Sequence, residues 1–331
     1  MKYGFRLLLA LAVLCLMPMG STALADAPSG TGAQKAILVT GATSGIGRNI
    51  TEKLAAQGHY VYAGGRKAAD IAELSGLDNV EGIQLDVTVQ GDIEAAVAHI
   101  EAAGRGLYGV VNNAGVARFA PMNTIAESDI DFVFDVNVYG PYRVNRAFTP
   151  LLDAADGRTL IIGSISGFTT GPNGGTYSMS KFAVEAYSEA LAAELKGLGI
   201  TVAVVEPGGY KSKIREKVTR AMVGATGVAD ADLTMLQRQA LERGRASNDQ
   251  LKEPDAVSDA VLHALFSDQP KFRYMVVPDQ GQANSTITAA LRRVVQLNAD
   301  QPYGYSRAEL IAKLDELMAE TKPTAKVAVQ K

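Results

Sequence analysis

Tyr177 and Lys181 stand four residues apart at the head of a long helical pattern running from Thr176 to Leu195. On a helix that spacing sets two side chains on one face about a turn apart, so an ammonium can sit beside a phenol. A tyrosine hydroxyl titrates near pH ~10 and is a poor acid or base at neutrality; a fixed positive charge beside it favours the phenolate. Such a pair could exchange a proton near neutral pH. The same spacing alone also describes a surface tyrosine with a solvated lysine, so its meaning comes from the rest of the chain.

A second chemical signal lies near the start. Thr40-Gly41-Ala42-Thr43-Ser44-Gly45-Ile46-Gly47 joins the apolar run Ala36 to Val39 to a helical pattern from Gly45 to Gln57. Between strand and helix, glycines permit a tight turn and a close backbone approach to a pyrophosphate, and the helix N-terminus faces the phosphates. An NAD site usually carries an acid about 20 residues beyond this loop, on the ribose hydroxyls. This chain has none between Lys53 and Ala69 and instead has Gly64-Gly65-Arg66-Lys67. A carboxylate repels a 2′-phosphate, whereas a guanidinium grips it with forked, charge-assisted bonds, so NADP(H) is expected over NAD(H). Arg66 and Lys67 as solvated loop charges is the competing reading.

Positioning these groups requires alternating elements. Further strands are expected at His59 to Ala63, Val80 to Leu85, Gly109 to Val111, Thr159 to Ile162, Thr201 to Val205 and Tyr274 to Val277, with helical patterns between them. Alternation of strand and helix implies parallel pairing with right-handed crossovers. The expected fold class is therefore α/β: a Rossmann-like, doubly wound parallel sheet of about seven strands with helices on both faces, plus a helical C-terminal extension. In such sheets ligands bind beyond the carboxyl ends of the strands.

Residues 1–25 read as a segment outside that domain. Lys2 and Arg6 flank an apolar run from Leu7 to Met17, Pro18 and Gly20 break it, and Ala23-Leu24-Ala25 offers a cleavage site before Asp26. This is the pattern of a secretory signal peptide, which implies export; the alternative is a retained N-terminal membrane anchor with a cytosolic domain. Residues 26–34 read as a linker, 35–280 as the main domain and 281–331 as the extension. In the extension Thr286 to Leu297 is amphipathic and Ser306-Arg307-Ala308-Glu309 is a capping box. This tail could cover the pocket, pair with another copy in a homo-oligomer or rest on a membrane; packing on the core is the expected arrangement. A net charge of −3 without a basic stripe argues against nucleic acid, and one cysteine and three histidines argue against a disulfide framework or a structural zinc site.

Four motifs in order resemble the short-chain dehydrogenase/reductase family: TGxxxGIG at 40–47, Asn112-Asn113-Ala114-Gly115, Ser164 thirteen residues before Tyr177, and Tyr177-Ser178-Met179-Ser180-Lys181. The likeness runs from about Lys35 to Pro278 and takes in Pro207-Gly208. It implies that Tyr177 gives or takes the proton of the alcohol or carbonyl oxygen, and that Lys181 lowers the tyrosine pKa and holds the nicotinamide ribose. Ser164 would hold the substrate oxygen, with Ser166 as a competitor for that role, and Asn137 would order a proton relay. It places Gly41, Thr43, Ser44, Gly45, Ile46, Gly47, Arg66, Asp86, Asn113, Ala114, Gly115, Pro207, Gly208 and Ser212 at the cofactor; for Asp86 a turn or cap role is the alternative, and Ser212 stands where the family often has Thr. The helix from Ser178 to Leu191 is also similar to the retinol and 17β-hydroxysteroid dehydrogenase branch, which suggests a small-molecule substrate that is a bulky, apolar alcohol or carbonyl compound; Phe119, Phe168 and Tyr210 are apolar candidates near the pocket, or equally ordinary core or loop residues. The function so implied is NADP-dependent hydride transfer between an apolar alcohol and its ketone or aldehyde. The alternative is an NADP-binding regulatory protein without turnover, which has no need of Asn137, Ser164, Tyr177 and Lys181 together.

Overall fold

Ala36-Ile37-Leu38-Val39 is apolar at every position and buried at every position, which suits a central strand covered on both faces. In the computed structural model, which describes residues 34–320, this is β1 (Ala36–Val39). There follow α1 (Gly45–Ala56), β2 (Tyr60–Gly65), α2 (Ala68–Leu74), β3 (Val80–Gln84), α3 (Gln90–Ala103) and β4 (Gly109–Asn112). Next come α4 (Glu127–Phe134), a π-helical turn (Asp135–Tyr139), α5 (Gly140–Asp153), β5 (Arg158–Ile162), α6 (Gly175–Leu195) and β6 (Thr201–Pro207). The chain continues through α7 (Ile214–Met222), α8 (Met235–Asp249), α9 (Asp255–Phe266), β7 (Arg273–Val276), α10 (Gln280–Asn298) and α11 (Arg307–Glu320).

The seven strands form one parallel sheet in the order β3-β2-β1-β4-β5-β6-β7, so the expected doubly wound architecture forms. Side chains alternate across it. Ile37 and Val39 pack with Ile50 and Leu54 of α1 and Val261 and Leu265 of α9, while Leu38 turns to Ile93 and Ile100 of α3 and Phe148 of α5. The strand order reverses between β1 and β4, where Ile37 is in register with Gly109 and both strands end beside each other. β2 runs two residues past its expected end because Gly64 and Gly65 still pair with Ile83 and Gln84 of β3, and this carries Arg66 to the rim of the sheet.

The extension departs from expectation. Its capping box forms, with Ser306 N–H donating to Glu309 Oε2 at 2.7 Å and Glu309 N–H to Ser306 Oγ at 3.3 Å. Packing on the core does not follow. α10 meets the domain at separate points: Gln282 accepts from Gly209 N–H at 2.7 Å, Thr286 is buried, and Arg293 lies 4.5 Å above the Phe182 ring. The amphipathic stripe Ile287, Leu291 and Val294 is exposed, and α11 buries nothing. The spacing specifies a helix, but its apolar stripe faces away from the core. Among the described residues no helix is long and apolar enough to cross a membrane. The expected signal peptide lies outside the described residues.

Candidate active site

A cleft of about 780 Å³ opens at the carboxyl ends of the strands, and the glycine loop is its floor. Gly41 and Gly45 take φ of +65° and +58°, a region that side chains other than glycine rarely tolerate. Crowding is the stronger constraint at Gly47. A Cβ there would stand 2.3 Å from Asn113 Nδ2 and 2.4 Å from Gly41 O. The absence of a side chain lets Asn113 lie under the loop, where its amide donates to Thr40 O at 2.9 Å and Gly41 O at 3.1 Å. Ala114 and Gly115 follow it along the cleft. Ser44 occupies the N-cap of α1 without a side-chain cap bond, and the first turn holds no acid. The helix therefore presents unspent N–H donors and an uncompensated dipole to the cleft, a setting suited to phosphate.

Asn137 sits in the π-helical turn, which carries one residue more than an α turn and is frequent at functional sites. Its side chain accepts from Val116 N–H at 2.8 Å and donates to Val116 O at 2.9 Å and Ser180 Oγ at 3.0 Å. Asn137 thus ties the loop after β4 to α6, and with its amide fully engaged a relay through this residue would have to use its main chain.

β5 ends at Ile162, and Ser164 follows in extended backbone with Oγ accepting from Ser166 N–H at 3.1 Å. That bond orients Ser164 and makes Ser166 its support. α6 begins at Gly175 and brings Tyr177 and Lys181 to the same wall. Burial pushes the Tyr177 phenol above its ordinary pKa, and the neighbouring Ser164 hydroxyl pulls the other way. The depression expected from Lys181 is not what this geometry gives: the ammonium lies 5.8 Å from the ring centroid and burial outweighs it. Lys181 is itself buried, donates to Ile162 O at 2.8 Å, and is brought down to about 8 by burial, with Glu185 opposing. Tyr177 is therefore held as a neutral phenol beside a lysine whose charge is easily changed.

At the other end, Arg66 is half exposed and stands 3.6 Å from Asp86 Oδ2. Asp86 Oδ1 accepts from Thr88 N–H at 2.9 Å and Thr88 Oγ1 at 2.7 Å, so the carboxylate also closes a turn; these bonds and Arg66 hold it below its usual range despite burial. Two further cations, which the sequence does not mark as cleft residues, stand here. Lys213 and Lys217, at and after the start of α7, line the cleft with Arg66. Lys217 is lowered by burial and then by the charges of Arg66, Lys213 and Lys67, with Asp70 opposing, so four cations crowd one end. The run Lys211-Ser212-Lys213-Ile214-Arg215 was visible, but nothing in it says it crosses the glycine loop. Ser212 does so closely: a Cβ on Gly45 would lie 3.2 Å from Ser212 Cβ. Asn248 Oδ1 accepts from Ser212 N–H at 3.1 Å, and α7 and α8 share a small core of Ala225, Leu233 and Leu241.

Pro207 and Gly208 line the cleft beyond β6. Phe119, with its ring centroid 6.2 Å from that of Tyr177, and Tyr210 line it too. Phe168 does not; its ring lies 5.4 Å from the Arg273 guanidinium, outside the cleft.

The profile of the short chain dehydrogenase family matches residues 35–222. Uncharacterized oxidoreductase YbbO of Escherichia coli (strain K12) is 32% identical, over 73% of this chain and 86% of its own length. Retinol dehydrogenase 7 of Mus musculus is 30% identical, over 72% and 79%. A short-chain dehydrogenase from Streptomyces avermitilis superposes with a TM-score of 0.64 at 25% identity, covering 88% of this chain and 100% of its own. Two chains share the fold at lower identity: a Burkholderia phymatum short chain dehydrogenase/reductase in complex with NAD (22%, TM-score 0.62, 89% and 98% covered) and a Thermococcus sibiricus alcohol dehydrogenase complexed with 5-hydroxy-NADP (23%, 0.58, 73% and 96%). The chain belongs to the short-chain dehydrogenase/reductase family, as an oxidoreductase acting on CH–OH groups with NAD(P) as acceptor.

Proposed function

We propose that this oxidoreductase interconverts an apolar primary or secondary alcohol and its aldehyde or ketone, with NADP(H) preferred and Tyr177 as the acid and base. One observation carries the reading: Ser164, Tyr177 and Lys181, the last of them buried, line together the cleft whose floor is the glycine loop. The dinucleotide fits the residues present, because the glycines at 41, 45 and 47 leave a backbone cradle and α1 aims an acid-free first turn at it. All line the cleft: Thr43, Ser44 and Ile46 would hold the pyrophosphate, Asp86 and Arg66 the adenosine, and Asn113 to Gly115, Pro207, Gly208 and Ser212 the part between. The bound nicotinamide supplies or accepts the hydride.

The protein then has to orient an oxygen and move one proton. Ser164 holds the substrate oxygen by hydrogen bond. In reduction Tyr177 gives its hydroxyl proton to that oxygen, and the charge of Lys181 stabilises the phenolate left behind; oxidation reverses the transfer. Phe119, Val116 and Val218 give the wall an apolar character suited to a hydrocarbon substrate. A panel of apolar alcohols, aldehydes and ketones, followed by NADPH absorbance, tests this. Turnover of at least one is expected; tight NADPH binding with no turnover across the panel would favour a regulatory protein instead.

The same reading extends to residues 1–25, which support export. The mature chain is expected to begin near Asp26. N-terminal peptide mass analysis of the native protein decides it, and an intact Met1 in the membrane fraction would replace export by anchoring.

A further inference from the structure

Outside the cleft lining, behind Lys181, two carboxyl groups are buried together. Glu206, the penultimate residue of β6, is 1% exposed, and Glu185, one helical turn beyond Lys181, is 7% exposed. Arg273 of β7 spans them: Nε donates to Glu206 Oε1 at 2.6 Å, and Nη2 to Glu185 Oε2 at 2.8 Å and to the exposed Glu189 Oε1 at 3.1 Å. The chain makes room for Glu185 with glycines. A Cβ on Gly163, next to Ser164, would lie 3.0 Å from Glu185 Oε1, and one on Gly167 would lie 2.9 Å from Glu185 Cγ. Glu185 Oε1 has no donor among the described residues.

Glu206 is buried against a second carboxyl group, and both burial and that neighbour favour its protonated form. Burial and the neighbouring Glu185 charge raise Glu206 to about 8, against the pull of Arg273. A proton on Glu206 supplies the donor that Glu185 Oε1 lacks. Glu185 is then the carboxylate, and it is the group that opposes the loss of charge from buried Lys181.

We propose that Glu185 is a positioning residue for proton transfer: its buried carboxylate keeps the Lys181 ammonium charged, and Glu206 with Arg273 sets how much negative charge stands behind it. This rests on the reading of Tyr177 and Lys181 as the proton-handling pair. The charged groups around Glu185 are Lys181 and Glu189, one helical turn before and after it on α6, Glu206 from β6 and Arg273 from β7. As pH rises, ionisation of Glu206 adds a second negative charge near Lys181 and opposes its deprotonation.

The test is the pH dependence of carbonyl reduction in wild type, Glu185→Gln, Glu185→Asp and Glu206→Gln. Removing an anion lowers the pKa of every group near it, so Glu185→Gln is expected to move the alkaline limb of kcat/KM down by about one pH unit, with kcat falling more than KM rises. Glu185→Asp keeps the charge and restores the limb. Glu206→Gln moves it less, and only above about pH 8. A uniform loss of kcat with the limb unmoved makes Glu185 a packing residue and overturns the proposal. Should Glu185→Gln fail to fold, an unmoved limb in Glu206→Gln overturns it equally.

Thermal unfolding reads the buried pair without turnover. The folded pKa of Glu206 lies above its ordinary 4.5, so the folded chain binds more protons between the two values and loses stability as pH rises through that window. Glu206→Gln has no such ionisation, so its Tm relative to wild type should climb from about pH 5 to about pH 8; a constant difference refutes the shared proton. If Tyr177→Phe keeps near-normal turnover, the parent reading falls, while the Tm series still judges the pair.

Discussion

Tyr177→Phe is expected to lower turnover by about 10²- to 10⁴-fold, the range that a positioned acid or base contributes, with NADPH affinity within about twofold of wild type. The substitution removes one oxygen and keeps the ring against Phe119. The glycine loop, Asn113 and Arg66 are untouched, so dinucleotide binding should survive. Steady-state rates and a fluorescence titration with NADPH measure the two quantities on one preparation. Retention of near-normal turnover would show that another group handles the proton and would remove the function proposed for α6.

Arg66→Ala should weaken NADPH by about 10- to 150-fold, the equivalent of about 1.5–3 kcal/mol for charge-assisted bonds to the 2′-phosphate, and leave NADH almost unchanged. Lys213 and Lys217 stand at the same end of the cleft and would retain part of the phosphate's charge partner, which places the expected loss toward the lower part of that range. An acid meant to reverse the preference belongs at 66 and not at 65. A Cβ on Gly65 would stand 2.7 Å from Thr43 Cγ2, so Gly65→Asp would push on the glycine loop and confuse strain with repulsion. Dissociation constants for NADPH and NADH decide the matter: equal affinity in wild type, or equal weakening by Arg66→Ala, ends the case for NADP preference.

The sheet is legible because its inner strands, β1 and β4 among them, are short runs buried at every position and divided by helical patterns, as strands covered on both faces should be. Each strand's place was legible to within a few residues, since its ends depend on pairing that the sequence does not display; Gly64 and Gly65 extend β2 only because β3 lies alongside. The spacing of Tyr177 and Lys181 survived intact, being fixed by the helix itself. What failed to show was whatever depends on distant segments meeting. Lys217 reaches the Arg66 end of the cleft across some 150 residues of chain, and Glu185, Glu206 and Arg273 come from three elements. The outward face of α10 illustrates the same limit: periodicity gives a helix its two faces and leaves open which one the domain covers.

The central place of β1 has a consequence for synthesis. One edge of β1 pairs at once with β2, but its other edge waits for β4, with Ile37 in register with Gly109 about 70 residues later. At translation speeds of roughly 5–20 residues per second, that interval is about 4–15 s. Throughout it the nascent chain carries an apolar strand with an open row of N–H and C=O groups, the kind of edge that recruits other strands. A chain that has not yet produced Gly109 to Asn112 therefore carries an open strand edge, which chaperones that shield such edges would cover.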